Sequence, residues 1–166
     1  MSYTKTNWAT DDVITEAKLD NLETQYDEAM TQPRCRVRLS SSQSATAGAN
    51  THVQFQTVEY DSHTIYDTVN DKFVIPTGKG GIWAFSLGMK WLDTTAEKQL
   101  FIQNITTARN LAKISIPSGI SLMCSGEAEL AAGDELKVLA YYASGSNSLQ
   151  PDHYAVCSMR RVANSV

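Results

Sequence analysis

Three histidines, three cysteines and a set of acids between apolar runs are the residues of this 166-residue chain whose types could do chemistry. His52, His63 and His153 lie far apart, and none stands in a metal-ligand spacing such as His-x-x-x-His. No Gly-x-Ser-x-Gly elbow or phosphate loop is present. The chain therefore reads as a non-enzyme without a cofactor. Cys35, Cys124 and Cys157 are odd in number and widely spaced, the pattern of free buried thiols. A Cys35–Cys157 bridge would need the first and last strands to lie side by side, and a reducing compartment opposes it. Asp61, Asp67 and Asp71 are the acids that could gather calcium in loops. Calcium needs several oxygens at once, and no EF-hand pattern accompanies them. Arg34, Arg36 and Arg38 would place three guanidinium groups on one face of a strand. Such a row suits an anionic surface polymer, carboxylates across a subunit interface, or plain solvation.

The elements that must carry these residues change period at Pro33. Thr15 is a plausible N-cap with Glu16 in the first turn, where the helix dipole favours an acid. Leu19, Leu22, Tyr26 and Ala29 follow at intervals of three, four and three, a short a/d seam that Pro33 ends. A lone helix of this length is marginal in water. It needs copies of itself, another protein, or the rest of the chain to pack against.

Beyond Pro33 the apolar residues alternate. Cys35, Val37 and Leu39 oppose the three arginines, and Val53, Phe55 and Thr57 alternate with His52, Gln54 and Gln56. Trp83, Phe85, Leu87, Met89 and Trp91 form the longest apolar run, which predicts a central strand. Leu100, Ile102 and Asn104 come next, then Ile114 and Ile116. Leu122 to Leu130 precedes a turn at Ala132-Gly133-Asp134-Glu135. Leu136 to Tyr142 and Ala155 to Met159 complete the set, with Ser144–Ser148 read as a flexible tip. About eight strands separated by turn signals argue for a mainly β sandwich or jelly roll, preceded by one short α-helix. The expected domains are 1–33, leader and helix, and 34–166, the β head.

Bulk composition narrows the partners. A 42% hydrophobic, 19% charged chain has ordinary globular composition. A net charge of −4 argues against nucleic acid or anionic lipid. No stretch is apolar enough to insert in a membrane. Met1 to Trp8 is polar, unlike a signal peptide, which leads to the expectation of synthesis in the cytosol.

The stretch Tyr66-Asp67-Thr68-Val69-Asn70-Asp71-Lys72-Phe73-Val74-Ile75-Pro76, followed by Gly81-Ile82-Trp83-Ala84-Phe85-Ser86, resembles the signature of complement C1q-like and tumour-necrosis-factor-like heads. Ser125-Gly126-Glu127-Ala128-Glu129-Leu130 with Gly133-Asp134-Glu135-Leu136 resembles the same family's later strand pair. The likeness spans 34–163; Lys79-Gly80-Gly81 makes one turn slightly longer than usual. It implies a ten-strand jelly roll assembled as a homotrimer, with Phe85, Tyr142 and Tyr154 as trimer-interface candidates. Tyr3-Thr4-Lys5-Thr6-Asn7-Trp8 and Asp12 to Glu23 resemble the leader of tailed-phage fibre and appendage proteins. That likeness makes Asn7, Trp8, Ile14, Leu19, Leu22 and Tyr26 candidates for anchoring the chain to a virion. The joint expectation is a phage fibre or spike on the virion surface. Its leader docks on a capsid, neck or tail protein, and its heads adhere to a host cell-surface polysaccharide. The alternatives are a capsid head fibre or decoration protein without a strict receptor role, and a bacterial C1q-like adhesion module.

Overall fold

The Thr15 side chain accepts a hydrogen bond from the Lys18 N–H, 3.4 Å, and starts helix α1 (Glu16–Met30) as its residue type predicts. The computed structural model describes residues 13–145 and 147–163, so Asn7 and Trp8 lie outside the described residues. The chain divides into two compact units, Met1–Gln32 and Pro33–Val166. In the first, Leu19, Leu22 and Tyr26 on α1 are 48%, 40% and 65% exposed, and Ile14 just ahead of it is exposed as well. These four apolar side chains are exposed, although their spacing marks one side of the helix for packing.

The second unit is built of strands. They are β1 (Arg34–Arg38), β2 (Gln43–Ala45), β3 (Asn50–His52), β4 (Thr57–Asp61), β5 (Tyr66–Asp67), β6 (Lys72–Val74) and β7 (Gly81–Trp91). Then follow β8 (Lys98–Asn104), β9 (Arg109–Ile116), β10 (Ser121–Leu130), β11 (Glu135–Tyr142), β12 (Asn147–Gln150) and β13 (Val156–Ala163). One sheet runs β2-β12-β7-β13-β1-β4, with β10 also paired to β7. The other runs β5-β6-β11-β8-β9, with β3 paired to β11. The fold is a mainly β jelly-roll sandwich, with one helix among the described residues. As expected, β7 is central: β10 pairs with it from Gly81 to Lys90 on one side, and β13 and β12 on the other.

Alternation explains the core. Trp83, Phe85, Leu87, Met89 and Trp91 point inward from β7, and join Leu100 and Ile102 of β8 and Leu136, Val138, Ala140 and Tyr142 of β11 in one buried cluster. Cys35 and Val37 of β1 and Cys157 and Met159 of β13 belong to the same cluster. β1 and β13 are antiparallel neighbours, with Cys35 opposite Met159 and Val37 opposite Cys157. The first and last strands therefore do adjoin, and all three cysteines are free thiols. Burial pushes the Cys35 and Cys157 thiols well up, so neither forms a reactive thiolate at neutral pH.

Two readings need correction. Val53 to Thr57 is not one strand. The chain leaves β3, in the second sheet, and joins β4, in the first, so Val53–Gln56 is a crossover outside any named strand. Val53 and Phe55 remain buried, which preserves the alternation without a regular ladder. Side-chain amides supply part of the missing pairing: Gln54 N–H donates to Gln43 Oε1 at 3.0 Å, and Ser40 N–H to Gln56 Oε1 at 2.9 Å. The supposed tip at 144–148 is also shorter. Asn147 opens β12, which pairs with β2 and β7.

Candidate interaction surface

The residues picked out for chemistry do not converge. Among the described residues no group of three or more His, Cys, Asp or Glu is placed to hold a metal ion. The Asp61 carboxylate accepts the Ile65 and Tyr66 N–H groups, both at 2.8 Å. Asp67 accepts from Val69 N–H at 2.9 Å and Asn70 Nδ2 at 2.7 Å. Asp71 accepts from Gln54 Nε2 at 3.0 Å and the Tyr66 hydroxyl at 3.2 Å. Each acid organises its own loop. His52 donates from Nε2 to the Asp71 carbonyl, 2.6 Å, while His153 rests against Tyr154 with ring centroids 3.9 Å apart.

These loop bonds set a pH dependence. Hydrogen bonds from the Thr95 hydroxyl and N–H, with a further one from Tyr142, pull the Asp93 carboxyl down to about 2. Asn70 lowers Asp67, and Lys90 lowers Asp152. A carboxyl depressed below 3.8 stabilises the fold above that pH, and the stabilisation is lost as pH falls toward the folded value. Burial lowers the His52 pKa below 6.5 against the opposing hydrogen bond to Asp71. The unfolded chain then binds its proton first, so stability declines as pH drops below 6.5. Thermal melts at stepped pH are expected to slope downward below 6.5 and to steepen between about pH 4 and about pH 2. Asp93→Asn should remove part of the lower step. An unchanged melting temperature across both windows would refute these assignments.

The outer face of the first sheet gathers the polar side chains. Pairing sets Glu127 opposite Ala84, Ala84 opposite Arg160, and Arg160 opposite Arg34, one row across β10, β7, β13 and β1. The next row reads Ser125, Ser86, Ser158 and Arg36. A depression of about 420 Å³ opens here, lined by Arg34, Tyr60, Ala84, Ser86, Ser158 and Arg160. Small side chains on β7 and β13 make the hollow, and longer ones on β1, β4 and β13 border it.

The arginine row divides. A bulge in the β1–β4 pairing leaves Glu59 without a direct opposite, and its carboxylate takes both Arg36 at 2.6 Å and Arg38 at 3.4 Å. These two are thus paired inside the subunit. Exposed ion pairs of this kind are worth at most about 1 kcal/mol each. Arg34 instead lies over the Tyr60 ring, 5.6 Å from its centroid, and faces Arg160 across the ladder. Like charges directly opposite one another are unfavourable.

Of the expected interface residues, Phe85 and Tyr142 are corrected. They are 3% and 1% exposed, in phase with the inward residues of β7 and β11, and have no surface left for another subunit. The Tyr142 hydroxyl donates to Asp93 instead, 3.1 Å. Tyr154, 52% exposed, stays on the surface. Arg160, Glu127 and Glu129 carry no expected role of their own, although they alternate with the inward residues Met159, Ala128 and Leu130. That alternation was the signal available for them.

No protein-family model matches the sequence, and no curated protein does. Solved structures do match in fold. Eiger TNF from S. frugiperda is 12% identical with a TM-score of 0.65, covering 82% of this chain and 96% of that one. The globular domain of zebrafish complement 1qA is 14% identical with a TM-score of 0.57, covering 81% and 99%. PRD1 vertex protein P5 is 12% identical with a TM-score of 0.58, covering 79% and 97%. The head is a C1q/TNF-like jelly roll.

Proposed function

We propose that this chain is a structural protein of a phage virion, a homotrimeric fibre or spike without catalytic activity. Its N-terminal unit docks on another virion protein, and its β heads adhere to the host surface through a receptor or polysaccharide. The observation that carries this reading is the exposed Leu19, Leu22 and Tyr26 seam on α1, in a chain whose head shares its fold with a vertex protein. A 15-residue helix with such a seam is marginal alone and gains stability when the seam is covered. Three weak head sites acting together would supply avidity. No helix among the described residues is long and apolar enough to cross a membrane.

Light scattering on the full chain is expected to give three times the mass of the 18.3 kDa subunit. A monomer at micromolar concentration would remove the trimer. Deleting residues 1–33 is expected to leave the heads trimeric and to abolish attachment to particles. Retained attachment would relocate the anchor to the head. The second reading, a capsid fibre or decoration protein without a strict receptor role, draws support from the vertex protein among the fold neighbours. Binding of purified trimers to intact host cells favours the first reading, and its absence the second.

A further inference from the structure

We propose that the outer face of the first sheet docks on a second copy of this chain by opposite charge, the Arg34 and Arg160 flank of one subunit meeting the Glu127 and Glu129 flank of the next. The inference rests on the homotrimer reading and specifies its contact.

Arg34, Arg160, Glu127 and Glu129 are exposed, and no ion pair joins any of them to another group among the described residues. The two arginines stand opposite each other on β1 and β13. The two glutamates are alternate residues of β10, on the same side of that strand. Each pair repels itself and gains from an opposite charge brought from outside. The two pairs flank the small side chains Ala84, Ser86 and Ser158, which leave room for a neighbour's backbone to approach. Glu127 and Arg160 are two strands apart, roughly 10 Å at the usual strand spacing, and do not pair across the hollow within one chain. A face carrying separated patches of both signs is complementary to copies of itself. A polyanion would meet the acidic flank as well as the basic one, so the face suits another subunit better than an acidic polymer.

The test measures the subunit dissociation constant of the full chain by analytical ultracentrifugation at low salt, with circular dichroism to confirm folded heads. Glu127→Arg with Glu129→Arg, and separately Arg34→Glu with Arg160→Glu, are each expected to weaken assembly by about a hundredfold or more. Combining all four substitutions in one chain is expected to restore the constant to within about tenfold of the native value. A native protein that assembles but ignores both reversals would overturn the docking while leaving the trimer intact. A native dimer that both reversals disperse would keep the docking and remove the trimer. Heparin binding that is lost with the arginines, while mass is indifferent to the glutamates, would make the face a ligand site and overturn the pairing between copies.

Discussion

Replacing Gly88 by alanine is expected to destabilise the head by about 3 kcal/mol or more and to lower its melting temperature by roughly 10 °C. A Cβ at this position would stand 2.3 Å from the Tyr154 carbonyl oxygen, far inside contact distance. The obstacle is backbone, and that backbone is held. The Lys90 ammonium donates to Asp152 at 2.7 Å, and Ala155 N–H donates to the Asp152 carbonyl at 2.9 Å. The Ala155 carbonyl in turn accepts from Leu39 N–H at 2.9 Å, and the Ala155 side chain is fully buried. Relief must therefore come from bending β7 or from pulling this loop out of the core. Gly48 supplies the comparison, since its φ of +72° strains a side chain while nothing lies within 4 Å of the added carbon. Gly48→Ala should cost about 1 to 2 kcal/mol. Urea melts followed by circular dichroism would measure both, and equal losses would disprove the close approach at Gly88.

Truncating Trp83 to alanine is the second large expected effect, about 3 to 5 kcal/mol. The indole is fully buried on the central strand, and its Nε1–H donates to the Lys79 carbonyl at 3.2 Å. Removal opens a cavity and takes the indole donor from that carbonyl. Trp83→Phe keeps part of the volume and should fall between the two. A domain of ordinary stability, about 5 to 15 kcal/mol, would lose a large share of its margin. Denaturant midpoints read by far-ultraviolet circular dichroism decide the matter, and a loss below about 1 kcal/mol would contradict the packing described.

Strand phase was legible wherever a run alternated cleanly. Arg34, Arg36 and Arg38 against Cys35, Val37 and Leu39 announced both faces of β1, and the odd positions from Trp83 to Trp91 marked the inner side of β7. The same phase assigns Phe85 to the interior, against the interface role that the resemblance implies for it. Val53 and Phe55 alternate for another reason: a crossover between layers buries every second side chain without joining a regular ladder. The candidate surface was less legible because it depends on strand order. Residues 34, 84, 127 and 160 become one row only through the sequence β10-β7-β13-β1. The bulge that gives Glu59 to both Arg36 and Arg38 arises from pairing between strands and has no local sequence signal.

The adjacency of β1 and β13 has a practical consequence. Arg161 N–H donates to the Pro33 carbonyl at 2.9 Å, so the head's incoming and outgoing ends meet at one pole. A brief flexible tether could join them, and new termini opened in the Gly145 turn would yield a circular permutant with every strand retained. Reporters fused directly at Pro33 or Ala163 of the isolated head would share that pole and leave the far loops clear.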